Sequence, residues 1–477
     1  MLERFSSLSR TTLSFLRRPE GAIPALIGLF HFWLMLGMSD GNLFNSYPYI
    51  SDDGFDWITQ GLALNQLVTG ADTTPWPVLR SPVFVLITLI DQIFGSRGIV
   101  VMLVQSVAVA GLASLAISFT RSRGFGSFTA ILVGLATYLA ISSYFHIWIL
   151  SDSLASCLMA FSAVASIRCL DAYQNASDGA LPARSTWAGP IALAGLAGLT
   201  QTYGLIPILV IGGTYTGGAI IGLQSRRVIL PAVGLAVVSA VIVFGGKMLW
   251  EALIPHNRVP AQFGLLKFDF AMLSFYREVW PLYFGAMVPT VLVTTYYRIR
   301  YGEWPRFSTL ALAAVCLAFA VLSVLYHWAD ARFTFIYFTL AWLTLVSFAS
   351  PTAPASSEAP PPDARRPFTD GVVTAALSAT AIASICAGIF LTPANYWEPK
   401  LGDIRISLHD SWINAARREP PRDRYHLATS CESTRSICPA ATYDQPWSPY
   451  AEIIFAEYKR RQLVGEAQPE GLPAPAQ

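Results

Sequence analysis

The chain has 477 residues, of which 53% are hydrophobic and only 13% are Asp, Glu, Lys or Arg. Soluble globular proteins carry about 25% charged residues, so this composition excludes a soluble globular chain. The formal net charge of +2 leaves no strong basic field, and nucleic acid is therefore not expected as a partner. Long charge-free runs, such as 99–119 and 228–246, predict an all-α polytopic membrane protein.

About eleven apolar segments follow one another along the chain, and each is expected to cross the bilayer as a helix. They lie near residues 21–38, 99–119, 126–148, 153–170, 187–202, 204–223, 228–250, 281–297, 308–326, 333–349 and 371–391. With a cytoplasmic amino terminus, fifteen arginines fall inside: Arg4, Arg10, Arg17, Arg18, Arg121, Arg123, Arg168, Arg184, Arg226, Arg227, Arg298, Arg300, Arg306, Arg365 and Arg366. The outer loops between spans hold only Arg80, Arg97, Arg258, Lys267, Arg277 and Arg332. The positive-inside rule selects this orientation.

Two places interrupt the simple order of crossing helices. Ser81–Gly95 is short for a span and contains the acidic Asp91. We expect an interfacial or re-entrant helix on the outer side here, because a crossing would place the later arginine clusters outside. Within Gly189–Gly222, prolines and glycines predict two spans that meet in an outward-facing turn near Gln201–Gly204.

The predicted organisation begins with a basic cytoplasmic amino terminus at 1–20 and a transmembrane core at 21–349, whose first outer loop spans 39–98. No small-residue cleavage site follows the first apolar segment, so we expect that helix to be retained. A Pro- and Ala-rich cytoplasmic linker at 350–370 precedes the last transmembrane helix at 371–391. The remaining residues, 392–477, predict a small extracytoplasmic domain that ends in a disordered tail.

The six cysteines divide according to this topology. Four lie in or beside apolar spans, where a single thiol usually packs as a small residue, namely Cys157, Cys169, Cys316 and Cys386. Cys431 and Cys438 lie in the predicted extracytoplasmic segment, where an oxidising compartment favours a structural disulfide. A pair of free thiols is the alternative.

The first outer loop carries three carboxylates within five residues, Asp52, Asp53 and Asp56. Carboxylates this close raise the pKa of at least one member, or require a cation or a hydrogen-bond donor. Both outcomes suit a general base or a weak divalent-cation site, in which Asp152 could also take part. A hydrated loop that caps a helix is the alternative interpretation.

Further polar residues are expected on the same outer face. They are Arg80 at the start of the interfacial helix, Asp152 after Ser151, Gln201 and Tyr203 at the helix break, Arg258 in the second large outer loop, and His327 and Arg332 between the ninth and tenth spans. For Arg80, phosphate binding and headgroup snorkelling are both open, and Ser151 or Asp152 could serve as a plain helix N-cap. Acidic and basic groups on one face suit a transferase that holds a lipid phosphate while it deprotonates a hydroxyl.

Other catalytic signatures are missing from the sequence. No Walker A loop, HExxH zincin motif, GxSxG elbow or GxGxxG fingerprint stands in a suitable setting. Soluble-nucleotide and metalloprotease chemistry therefore has no support, and no firm metal site is predicted.

Five segments in chain order resemble motifs of the C-type superfamily of integral membrane glycosyltransferases, which includes the protein mannosyltransferase and aminoarabinose transferase group. The similarity covers roughly residues 20–350 and departs from the family at Gln201, where a basic residue is usual, and at Phe333, where Tyr is usual. The segments are DDGFDWITQGLAL, RSPVFVLITLIDQIFG, SDSLASCLMAF, GLAGLTQTYGLIPIL and HWADARFTFIYFTLAWLTL.

The resemblance implies inverting sugar transfer from a polyprenyl-phosphate-linked donor to an acceptor hydroxyl on the extracytoplasmic face of the inner (cytoplasmic) membrane, in cell-envelope biosynthesis. It implies Asp53, or else Asp52, as the base, and Asp56 or Asp152 in acceptor orientation or cation binding. Arginines would neutralise the leaving phosphate, namely Arg80, Arg258 and Arg332. The implied partners are the lipid-linked donor, membrane lipids and a glycan, lipid or protein acceptor. A glycan polymerase or ligase, or a noncatalytic or transport subunit, are the alternatives.

Overall fold

The computed structural model describes most of the apolar part of the chain. The described residues are 19–38, 57, 60–61, 64–65, 68–69, 80–94, 98–139, 151–176, 182–254, 273, 276–277, 280–281, 283–325, 332–350 and 366–391. Within them the chain forms α-helices joined by turns and short 3-10 segments. The helices are α1 Pro19–Met38, α2 Pro82–Ile93, α3 Ile99–Ser122, α4 Ser127–Leu139, α5 Asp152–Gln174, α6 Ala188–Thr200, α7 Ile206–Ile220, α8 Ile229–Leu253, α9 Val288–Tyr301, α10 Phe307–Leu325, α11 Arg332–Ala349 and α12 Arg366–Leu391.

The all-helical, multi-pass class predicted from composition is confirmed. Each of the eleven predicted segments overlaps one of these helices, and α2 is the short helix expected between the first two segments. Among the described residues, six helical stretches are long and apolar enough to cross a membrane. They are Ile99–Ser122, Asp152–Gln174, Thr202–Ile220, Arg226–Leu253, Phe307–Leu325 and Gly371–Gly388.

The buried acid in α2 has a local structural role. The Asp91 carboxylate accepts hydrogen bonds from the main-chain N–H groups of Gly98 at 2.6 Å and Val100 at 2.9 Å. These donors lie at the start of α3, where a helix presents unsatisfied N–H groups and a partial positive charge. An acidic residue inside an apolar segment is thus explained by the helix that follows it.

Many arginines gather at one end of the bundle, which we call the arginine-rich end. There the amino-terminal ends of α1 and α10 lie beside the carboxyl-terminal ends of α3, α5, α7 and α9. Tyr215 donates a hydrogen bond to Asp171 at 2.5 Å, and Arg123 reaches Ser308 at 3.4 Å. The guanidinium of Arg298 donates to the main-chain oxygens of Trp304, Phe348 and Ser350. Three of the arginines predicted to be cytoplasmic, Arg123, Arg298 and Arg306, therefore lie at the same end of the bundle.

The predicted break between two apolar spans is confirmed. Helix α6 ends at Thr200, Gln201 is extended with φ −149° and ψ 136°, and a 3-10 turn covers Thr202–Leu205 before α7 begins. A side chain at Gly204 would meet the main chain of the preceding helix, with a Cβ only 2.8 Å from the Gly198 nitrogen. Glycine is required here because the two backbone segments touch.

Candidate functional site

The end of the bundle away from the arginine-rich end, called here the site end, brings together four residues predicted to bind substrate: Arg80, Asp152, Gln201 and Tyr203. Arg332 begins α11, but the structure does not describe its side chain. Seven further predicted residues lie outside the described part of the chain, namely Asp52, Asp53, Asp56, Arg258, His327 and the two cysteines of the predicted disulfide, Cys431 and Cys438. Their roles stay predictions.

The main chain of Arg80 is held on both sides. Its N–H donates to the Gln60 side-chain oxygen at 2.8 Å, and its carbonyl oxygen accepts from the Trp250 indole at 3.0 Å. The Arg80 guanidinium lies 5.7 Å from the centre of the Trp57 ring, a cation–π distance. Gln60 and the end of α8 thus fix the backbone of this arginine together.

Trp57, the residue that follows Asp56 in the sequence, packs on α2. The Trp57 carbonyl oxygen accepts a hydrogen bond from Thr88 at 3.0 Å, and its ring packs edge-on against Phe84 with centroids 5.2 Å apart. Trp57 is 1% exposed, within an apolar cluster that also contains Val101 of α3 and Ile254 after α8. Trp57 therefore lies between α2 and the Arg80 side chain.

The start of α5 is joined to the break between α6 and α7. Tyr203 donates a hydrogen bond to the Asp152 carboxylate, and Gln201 donates to the Ser151 hydroxyl. Asp152 is only 4% exposed. Burial of an ionised carboxylate is costly, and both the Tyr203 donor and the positive end of α5 offset that cost. Ser151 stands at the N-cap position, but its side chain makes no capping hydrogen bond.

Lys247 is a site-end residue that the sequence did not single out for substrate binding. Its ammonium group donates to the Thr202 hydroxyl at the helix break, and Glu251 attracts it electrostatically. The signal that could have identified it is its position, because it is the first charge after the charge-free run 228–246. Lys247 therefore adds a second cation to the end that holds Arg80.

A row of aromatic rings links this break to α11. Tyr203 packs edge-on against Phe319 at 6.4 Å, and Phe319 stacks on Tyr337 at 5.8 Å. Tyr337 also stacks on Phe284 at 5.7 Å. Because Tyr337 lies in the second turn of α11, the helix that Arg332 begins starts at the site end.

The site end therefore combines a buried carboxylate with two cations and several hydrogen-bond donors. Such a set can bind an anionic group and orient a hydroxyl beside it. Within the described ranges, no three His, Cys, Asp or Glu side chains group as a metal site would require.

Comparison with protein-family models gives no match, and comparison with curated proteins gives none either. Solved structures do match. ArnT from Cupriavidus metallidurans, bound to undecaprenyl phosphate, shares 13% identity with this chain and a TM-score of 0.52, over 80% of this chain and 77% of that one. AglB from Archaeoglobus fulgidus, in complex with an inhibitory peptide and a dolichol-phosphate, shares 12% identity at a TM-score of 0.49, over 78% of this chain but only 56% of its own.

The similarity to ArnT defines the class of fold. Over 80% of this chain and 77% of that one, the helices follow the same arrangement as in ArnT. The resemblance drawn from five short motifs is thereby confirmed at the level of the fold.

Proposed function

We propose that this chain is an integral membrane glycosyltransferase that moves a sugar from a polyprenyl-phosphate-linked donor to an acceptor hydroxyl. The observation that carries the proposal is the placement of Arg80, with its partner Trp57, and of Asp152, with its partner Tyr203, at one end of an ArnT-like bundle. An arginine that can bind phosphate and carboxylates that can bind a hydroxyl are the two components that this reaction requires.

In the proposed reaction, Asp53, or else Asp52, accepts the proton of the acceptor hydroxyl. The acceptor oxygen forms a bond to the anomeric carbon as the bond from that carbon to the phosphate oxygen breaks, with inversion. The electron pair leaves with the polyprenyl phosphate, whose charge Arg80, Arg258 and Arg332 neutralise. Asp56 and Asp152 orient the acceptor, and a divalent cation bound by Asp52, Asp53 and Asp152 would assist in the same place.

The membrane arrangement forms part of the proposal. Eleven spans place the arginine-rich end in the cytoplasm and the site end, with the interfacial helix α2, on the extracytoplasmic side of the inner membrane. Helix α2 supports this placement, because both its beginning at Arg80 and its end at Asp91 contact the site-end termini of α8 and α3. Residues 392–477, with a Cys431–Cys438 disulfide, would lie on the same side. Partners are the lipid-linked donor, membrane lipids and an envelope glycan, lipid or protein acceptor.

The test uses the full chain purified into nanodiscs with a panel of undecaprenyl-phosphate-linked hexoses and pentoses. Release of undecaprenyl phosphate reports transfer, and the glycans that accumulate in a deletion strain supply the acceptor. We expect Asp53→Asn, or Asp52→Asn, to slow transfer by about 100-fold or more, the usual contribution of a general base.

Glu303→Gln serves as a matched control, since it removes a carboxylate near Arg298 at the arginine-rich end. Wild-type rates in both aspartate variants would eliminate the proposed base. Absence of transfer with every donor and acceptor in the panel would eliminate the transferase.

A further inference from the structure

An ionised side chain at the position of Lys247 costs free energy, because it must be transferred out of water. Lys247 follows the charge-free run 228–246 in α8, a helix that is long and apolar enough to cross a membrane. Ionisable residues in such helices are rare, and they usually mark substrate or ion sites when they face the protein interior.

Contacts along α8 show which way Lys247 faces. Lys247 and Trp250 lie one turn apart on the same side of the helix, followed by Ile254. Lys247 reaches Thr202, Trp250 reaches the carbonyl oxygen of Arg80, and Ile254 packs in the Trp57 cluster. Lys247 therefore points to the polar break between α6 and α7 and is half-buried there.

Among the described residues, two side chains interact with the Lys247 ammonium group, Thr202 and Glu251. Thr202 is neutral, and Glu251 is an exposed carboxylate four residues further along the same helix. The buried carboxylate of the break, Asp152, is already bound by the Tyr203 hydroxyl. A half-buried ammonium group beside the Thr202 hydroxyl, with the exposed Glu251 one turn away, suits the phosphate of a membrane lipid.

We propose that Lys247, with the Thr202 hydroxyl, binds the phosphate of the lipid-linked donor and of the polyprenyl phosphate product. This inference rests on the proposed function and adds a binding residue to it. Lys247 and Arg80 then hold the phosphate from α8 and from the start of α2, linked through Trp250. The neutral Gln201 is compatible with phosphate binding because the cation of the break comes from α8.

Binding and transfer are measured separately, so that the two proposals can fail independently. The full chain in nanodiscs is titrated with undecaprenyl phosphate, and bound lipid is counted by native mass spectrometry. We expect Lys247→Gln and Lys247→Met to weaken binding by at least tenfold, Thr202→Val by a few fold, and Lys247→Arg by no more than about threefold, because Arg keeps the charge.

Arg300→Gln is the matched control, since Arg300 is exposed at the arginine-rich end and donates to Tyr296. It should bind undecaprenyl phosphate as the wild type does. Competing phosphatidylglycerol tests the alternative that Lys247 only anchors ordinary headgroups. Displacement by equimolar phosphatidylglycerol, or unchanged binding in both neutral Lys247 variants, would overturn the inference.

The combined results distinguish the two proposals. If Lys247→Gln loses lipid binding while the wild type transfers no sugar, the phosphate site stands and the transferase fails. If the wild type transfers sugar and Lys247→Gln keeps its KM for the donor, the transferase stands and the phosphate site fails. Thermal unfolding without added lipid shows whether Lys247→Gln or Lys247→Met is misfolded. If both are, the lipid binding of Lys247→Arg is compared with that of the wild type, and a loss of more than about threefold would overturn the inference.

Discussion

The indole nitrogen of Trp250 donates a hydrogen bond to the main-chain oxygen of Arg80 at 3.0 Å, across 170 residues of sequence. Gln60 binds the N–H of the same arginine, so α8 and Gln60 fix its backbone together. An arginine with a fixed backbone loses less freedom when it binds a planar anion, and phosphate binding would gain from this arrangement.

Trp250→Phe tests the positioning of Arg80. The substitution keeps an aromatic ring and removes one hydrogen-bond donor to a partly buried carbonyl, a loss of about 1–1.5 kcal/mol. We expect kcat/KM for sugar transfer to fall about five- to tenfold, mainly through a higher KM for the lipid-linked donor.

Trp304→Phe is the control, because this ring is 85% exposed at the arginine-rich end. It should leave the kinetic constants unchanged. A Trp250→Phe enzyme with a wild-type KM would show that Arg80 is held well enough without the indole.

Gly61→Ala tests whether the acidic loop must dock on α2. A Cβ at Gly61 would lie 2.9 Å from the main-chain carbon of Thr88, so the loop would have to move away from α2. Overpacking of this kind costs about 1–3 kcal/mol and should weaken the contacts of Gln60 and Trp57 with Arg80. We expect transfer to fall at least tenfold and amide exchange in Pro82–Ile93 to accelerate.

Gly213→Ala in α7 is the matched control, because nothing lies within 4 Å of its Cβ position. Alanine favours a helix over glycine there, so this variant should be as active as the wild type and at least as stable. Wild-type transfer by Gly61→Ala would instead place the acidic loop outside the reaction.

Tyr215→Phe tests the arginine-rich end, where stability rather than activity should change. The substitution removes the 2.5 Å hydrogen bond to Asp171, a carboxylate that also attracts Arg123. Burial lowers the pKa of Arg123, and the neighbouring charge of Arg306 lowers it further, so the oriented Asp171 carboxylate offsets an unfavourable environment.

Loss of a hydrogen bond to a charged group should lower the free energy of unfolding by about 1.5–3 kcal/mol. Thermal unfolding in nanodiscs measures the effect, with the 45% exposed Tyr301→Phe as a control that should show none. The KM for donor should stay at the wild-type value. A Tyr215→Phe enzyme that keeps its Tm but loses transfer would show that the arginine-rich end takes part in catalysis.

The helices and their order follow from local properties of the sequence. The length of each apolar segment predicted a helix, and each segment contains one. Such a prediction works because transfer of a helix into the bilayer depends on the summed hydropathy of its own residues. Proline and glycine spacing marked the break at Gln201–Gly204, since both residues act on the backbone where they stand. The short apolar length and the acid at position 91 identified α2 for the same reason.

The site was only partly visible in the same way. Asp152, Gln201 and Tyr203 were predicted because they are polar residues at the ends of apolar segments. In the structure, Tyr203 binds Asp152 and Gln201 binds Ser151. Lys247 was not among the residues predicted to bind substrate, because its sequence neighbours give no hint of Thr202, 45 positions earlier.

The sequence by itself thus determined an all-helical membrane chain and the charge that each end carries, because hydropathy and charge are properties of single segments. The tertiary structure alone decided that Trp57, Trp250 and Lys247 surround the residues chosen for binding. Those contacts depend on which faces of α2, α6 and α8 pack together, and helix packing is set by shape complementarity between segments that lie far apart in the chain.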